Sequence, residues 1–184
     1  MTYKIITPAT AVITTADLKA FLRVDSSAED SLIDGFLLAA MAKVQHDANL
    51  AIGVQTIELA LDAFPDGGIS LPLIPATSIT SVTYVDTAGT TQTLSSSLYY
   101  LNDYSSQDHQ VTLVYGAEWP DTRDMTNAVK VRYVAGSATL PASVKAALML
   151  LVGHLYENRQ EATEKALHSL PIGITALLDP GKVY

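Results

Sequence analysis

The chain has 184 residues, 48% hydrophobic and 16% charged, with a net charge of −8 and no cysteine. That length is within reach of one domain with a sizeable core, and the missing cysteines exclude disulfides and thiolate chemistry. Charge this scarce, with a positive mean hydropathy, points to apolar surface covered by a partner, contacts between subunits being the simplest cover, the alternative being an ordinary globular protein with a large core.

The charge is unevenly spread. Residues 1–24 carry +2, residues 25–49 carry −4, residues 54–127 carry −8 with Arg123 as their one base, and residues 128–184 carry +2. A tight grip on nucleic acid requires clustered Lys or Arg to displace counterions. No such cluster is present, so DNA, if it touches this protein, is not held by it. No apolar stretch has the length of a membrane span, Ala146 to Val152 being the longest strongly apolar run, and no membrane partner is expected. Met1-Thr2-Tyr3-Lys4-Ile5-Ile6 lacks a signal-peptide core, so the chain is expected to be made and kept in the cytoplasm.

In chain order, helical signals come first. Thr14-Thr15-Ala16-Asp17 reads as a cap leading into Leu18, Phe21 and Leu22. Ser26 and Glu29 stand at capping-box spacing. The helix after them places Leu32, Ile33, Phe36, Leu37, Met41 and Val44 on one stripe and Glu29, Asp30, Asp34, Lys43 and Asp47 opposite, running to about Asn49.

From Val54 the period becomes two. Gln55 to Asp62 alternates imperfectly and stops at the turn cluster Phe64-Pro65-Asp66-Gly67-Gly68. Ile69 to Leu73, interrupted by Pro72, suits an edge or a bulge. Ile79 to Val85 is rich in β-formers, and Asp86-Thr87-Ala88-Gly89 turns it into Thr90 to Leu94 as a hairpin. Leu98 to Leu101 and Val111 to Tyr115 are further strands, with a break at Gly116-Ala117-Glu118-Trp119-Pro120. In the last strand Val129, Val131, Tyr133 and Ala135 alternate with Lys130, Arg132 and Val134, which predicts one wet face.

Period 3.6 then returns. Pro141 opens a helix whose buried stripe is Val144, Ala147, Leu148, Leu151, Val152 and Leu155, ending near Asn158. Residues 159–169 read as a polar loop, and Leu170 to Leu178 as an apolar terminal segment. The expected architecture is a single α+β domain over residues 1–184, with N-terminal helices, a central mostly antiparallel β region and C-terminal helices.

Motifs for chemistry are missing. His46, His109, His154 and His168 do not have the spacing of helical zinc ligands, and His154 reads as a helix-face or interface histidine. No nucleophile elbow, Walker loop, dinucleotide fingerprint or calcium loop occurs. Asp121 and Asp124 read as a solvated turn, and Glu157-Asn158-Arg159 as a helix end that caps or pairs. Six tyrosines, Tyr84, Tyr99, Tyr100, Tyr104, Tyr115 and Tyr133, lie in the β region, the most acidic of the chain, which favours packing and subunit contacts over base stacking. The sequence supports no catalytic residue, cofactor or metal.

An ordered set of segments resembles the phage head–tail connector proteins of the gp6-like adaptor (DNA-packaging) group. The set is Ala16 to Asp25 with the acid-led helix after it, Gln55 to Pro65, Leu71-Pro72-Leu73 leading to Ile79–Asp86, Tyr115-Gly116 with Trp119-Pro120, Val129 to Gly136, Pro141 to Arg159, and Leu170-Pro171-Ile172-Gly173. It covers nearly the whole chain. The resemblance implies a non-enzymatic virion protein at the head–tail junction, in a ring of copies of itself, dodecameric or close to it. The ring would dock on the portal protein, pass packaged DNA, and carry a stopper or tail protein on its far side.

Acids lining such a ring would repel phosphate and keep DNA moving. Asp30 and Asp34, or acids of the β region, are expected to face the channel. Leu170, Ile172, Ile174, Leu177 and Leu178 are expected to form a portal-docking arm that orders on binding. The alternatives are another neck or tail ring (a stopper or tail terminator), a small hydrolase, or a carbohydrate-binding β module.

Overall fold

A computed structural model of the chain describes residues 2–9, 11–105, 107–159 and 177–178. Its elements are β1 (Thr2–Thr7), α1 (Thr15–Leu22), a 3-10 turn (Ser27–Glu29), α2 (Asp30–Ala48), β2 (Gln55–Leu61), β3 (Ile69–Leu71), β4 (Ala76–Val85), β5 (Thr91–Thr93), β6 (Tyr99–Asn102), β7 (His109–Leu113), β8 (Val129–Ala135) and α3 (Ala142–Glu157). They divide into two compact units, one made of residues 1–10 and 50–137, the other of residues 11–49 and 138–184.

The first unit contains all eight strands found among the described residues. Five form an antiparallel sheet in the order β1-β2-β8-β4-β5, and three form a second sheet in the order β3-β7-β6. Strand β8 shows why the sheet has one dry face: Val129, Val131, Tyr133 and Ala135 are buried while Lys130 and Arg132 are exposed, the period-two alternation of a half-covered strand. Ile57, Leu59, Val82, Val131 and Tyr133 of the large sheet share one core with Ile69, Leu71, Tyr99 and Val111 of the small sheet. Each fully buried side chain of this size contributes about 1.5–3 kcal/mol. Tyr133 is fully buried, and its hydroxyl donates to the Pro72 carbonyl.

The turns form as their residues predict. Asp86 accepts from the Thr90 backbone N–H at 2.8 Å and from Gln92 Nε2 at 2.9 Å, with Gly89 in the left-handed region at φ 89°. Trp119 Nε1 donates to the Gly67 carbonyl at 3.0 Å, and its ring stacks on Phe64 with centroids 4.6 Å apart. The predicted break at 116–120 is thereby pinned to the turn after β2.

The second unit packs α1, α2 and α3 through Leu18, through Ile33, Leu37, Ala40, Met41 and Val44, and through Val144, Ala147, Leu148, Leu151 and Val152. Thr14 caps α1 by accepting from the Asp17 N–H at 3.1 Å. Asn49 ends α2 in a left-handed cap.

Three expectations need correction. A strand, β1, precedes the first helix. Its six residues carry too short a pattern to announce themselves, and pairing with β2 makes the strand. The mixed α+β class with antiparallel pairing holds, but strands outnumber helices among the described residues, and the helices do not simply occupy the two ends of the chain. Ser26 does cap, accepting from the Ala28 N–H at 3.1 Å. Glu29 does not close the capping box, because its carboxylate is engaged elsewhere.

Gly136 leaves β8 at φ 85°, and a Cβ there would collide with the Gly53 carbonyl oxygen. Gly116 has a similar φ of 80° with open space around it. Gly116→Ala is expected to cost about 1–2 kcal/mol from backbone strain alone. Gly136→Ala adds a backbone clash and is expected to cost roughly 3 kcal/mol or more. Denaturant midpoints followed by fluorescence of Trp119, the one tryptophan in the chain, decide this; equal costs would contradict it.

Candidate functional site

Asp30 and Asp34 stand one turn apart on α2, and Thr15 and Lys19 stand one turn apart on α1. The structure brings these pairs together. Lys19 Nζ lies 2.8 Å from Asp30, and Thr15 Oγ1 donates to Asp34 at 2.7 Å. Asp30 is half-buried and its charge is matched. Asp34 is exposed and forms no ion pair among the described residues. Of the expected docking segment, Leu177 and Leu178 are helical and half-buried, while Leu170, Ile172 and Ile174 lie outside the described residues.

Two clusters escaped the sequence reading. In the first, Glu29 receives Arg159 in a fork, Nη1 at 2.8 Å and Nη2 at 3.1 Å, and also accepts from the Tyr156 hydroxyl. The guanidinium sits over the Tyr156 ring, 4.1 Å from its centroid. The Arg159 bond, then that of Tyr156, holds the Glu29 carboxyl below its ordinary value. The same carboxylate pushes Tyr156 and Arg159 up. This clasp ties the end of α3 to the start of α2, and a separation of 130 positions between the partners hides it from any local pattern. That Arg159 pairs was expected; its partner was not.

The second cluster crosses the large sheet. Lys4, Glu58 and Arg132 are in register on β1, β2 and β8. Glu58 lies 2.9 Å from Lys4 Nζ and 2.5 Å from Arg132 Nη2, and it is buried. The Lys4 bond first, then that of Arg132, depresses the Glu58 carboxyl against the opposing effect of burial. Its only sequence signal is an acid among apolar residues in Ile57-Glu58-Leu59.

His109 and His154 make contacts within the fold, and His168 lies outside the described residues. His109 is buried and its Nδ1 accepts from the Ala76 N–H at 3.1 Å. His154, on α3, offers its carbonyl to Asn158 Nδ2 at 2.9 Å. Among the described residues no group of three or more His, Asp or Glu is placed to hold a metal, and no helix is long and apolar enough to cross a membrane.

The family model that matches the chain is described as head completion protein, and it matches residues 11–168. The chain belongs to the head completion protein family. No curated protein matches it. Three chains from solved structures are similar, each 24% identical, with 97% of this chain and 93% of the other covered. They come from the virion of a native gene transfer agent particle (TM-score 0.80), the neck of an empty particle computed with C6 symmetry (0.80), and the neck of a native particle computed with C12 symmetry (0.74). At that identity the likeness establishes a shared fold. Strand β1 and the apolar terminal segment both fall outside the residues that the head completion protein model matches.

The Glu58 carboxyl is depressed in the folded chain, so its contribution is complete above the unfolded glutamate pKa and fades as pH falls through the folded value. Glu58→Gln is expected to lower stability at pH 7 by about 1–2 kcal/mol, because both bases are partly exposed. It should also flatten the acid limb of the stability curve below about pH 5. Chemical denaturation from pH 3 to 8 reads both; an unchanged acid limb would contradict the assignment.

Proposed function

We infer that this chain is a structural subunit of a head–tail connector ring, an adaptor at the head–tail junction of a phage-type particle. The observation that carries the reading is the head completion family match over residues 11–168. The fold shared with neck chains of gene transfer agent particles, one of them computed with C12 symmetry, supports a ring of about that order, and twelve copies is the number proposed. The role is one of assembly rather than catalysis. The ring docks on the portal, carries a stopper or tail protein, and lets double-stranded DNA through.

Asp34 is the better of the two channel candidates, since Lys19 neutralises Asp30. An exposed carboxylate without a matching base repels phosphate at close range and prevents sticking. The segment containing Leu170, Ile172, Ile174, Leu177 and Leu178 is the portal-docking arm. It follows the Glu29–Arg159 clasp, which fixes where α3 ends.

Electron microscopy of particles assembled with and without the chain tests the reading: particles that join head to tail normally without it would overturn the reading. Asp34→Lys is expected to leave rings intact while reducing DNA delivery at least tenfold; normal delivery removes Asp34 from the channel. A chain truncated after Arg159 is expected to fold, with the melting temperature of its helices little changed, and to lose portal attachment in a pull-down. Retained attachment would move the docking surface elsewhere.

A further inference from the structure

Strand β1 is one end of the five-stranded sheet, and its outer side pairs with no strand among the described residues. Such an edge invites pairing with another chain, and natural sheets usually blunt it with short strands, charge or proline. The opposite edge, β5, is short, at three residues, all of them exposed. Strand β1 is not short. It runs for six residues, and its single charge, Lys4, is occupied by Glu58 at 2.9 Å.

The side chains of β1 point the same way. Tyr3 and Ile5 oppose Leu59 and Ile57, both fully buried, yet Tyr3 is 46% and Ile5 41% exposed. The dry layer between the sheets therefore continues past β2 and is left open. Ile6, at a register irregularity, adds a third exposed apolar side chain.

We propose that this edge is a contact between neighbouring copies of the chain, with β1 of one copy adding to the sheet of the next at β5 (Thr91–Thr93). The proposal rests on the ring reading and names its interface. A closed ring of more than two copies needs a heterologous contact, in which two different surfaces of the same chain meet. The two ends of one open sheet are such a pair. Both have backbone N–H and C=O groups without a ladder partner on the outer side; β1 brings apolar side chains, and β5 brings the exposed Thr91, Gln92 and Thr93. Pairing β1 with another β1 would be isologous and would stop at a dimer. The exposed leucines of the helices, Leu32, Leu38 and Leu150, offer apolar area but no unpaired backbone edge.

The absence of cysteine makes cross-linking clean. Full-length chains carrying Ile6→Cys and chains carrying Gln92→Cys are co-assembled into particles and treated with a short bis-maleimide. The expected products are covalent dimers joining one variant to the other, and the double variant should give a ladder of multimers. Dimers of the Ile6→Cys chain with itself, or no cross-link in particles whose neck contains the ring, would overturn the interface and leave the ring reading standing. Particles whose neck holds no ring of this chain would instead defeat the ring reading, and the interface with it. As an independent measurement, Tyr3→Lys with Ile5→Lys should reduce ring yield at least tenfold while Trp119 fluorescence remains native. Rings at normal yield would overturn the proposal, and if that variant unfolds the cross-links decide.

Discussion

The first unit depends on closing a small sheet over one face of a larger one, and Tyr133 shows what that closure requires. Its ring fills the middle of the shared core, so its hydroxyl is carried out of water and burial pushes its pKa up. Leaving that group without a partner would cost about 1–3 kcal/mol. The Pro72 carbonyl, one residue beyond β3, accepts from it. A polar contact therefore sets the seating of β3 on the large sheet, while Ile69 and Leu71 supply the apolar surface. The same closure explains the stacked Phe64 and Trp119, which hold the turn after β2 against the loop before β8. It also explains the open end: the cover that buries Ile57 and Leu59 leaves Tyr3 and Ile5 half in water.

The strong negative charge is less diffuse than the composition suggests. Glu58 joins three strands, Glu29 joins two helices, Asp86 closes a hairpin, and Asp62 accepts from the Asn127 N–H at 2.8 Å. Asp47 pairs with Lys43 one turn earlier on α2. Partners that favour the charged form hold Glu29, Asp47, Glu58 and Asp86 below their ordinary values. These acids are fasteners: Glu58, Glu29 and Asp47 are matched by bases, whereas Asp86 and Asp62 are held by uncharged donors and keep their net charge. In the proposed channel the repulsion would fall on acids without a matching base, and Asp34, held among the described residues only by the Thr15 hydroxyl, is one.

A head completion protein works through its surfaces. The matched residues, 11–168, contain the helices and most of the strands, a scaffold whose polar clusters are spent on holding elements together. The apolar groups left over lie on β1, along the helices, and in the β region at Val54, Tyr100, Tyr104, Tyr115 and Met125. This agrees with the scarcity of charge noted in the sequence, since surface that must meet neighbours cannot be covered with solvated side chains.

The sequence by itself determined the elements with long, regular patterns. The α2 stripe (except Leu32, which is exposed), the α3 stripe, the alternation of β8, the Asp86–Gly89 hairpin and the Thr14 cap are local, because each is written in residues a few positions apart. It also carried the family resemblance, since an ordered series of such segments survives in one chain. Tertiary structure alone decided that β1 exists, since six residues become a strand only when β2 offers its edge. It alone decided that Glu29 answers Arg159 instead of its own helix start, and that Glu58 collects Lys4 and Arg132. It alone showed that Asp30 is matched by Lys19 whereas Asp34 is not. Those contacts join residues from 11 to 130 positions apart. Chain closure over such distances is set by the packing of whole elements, and no window of sequence contains it.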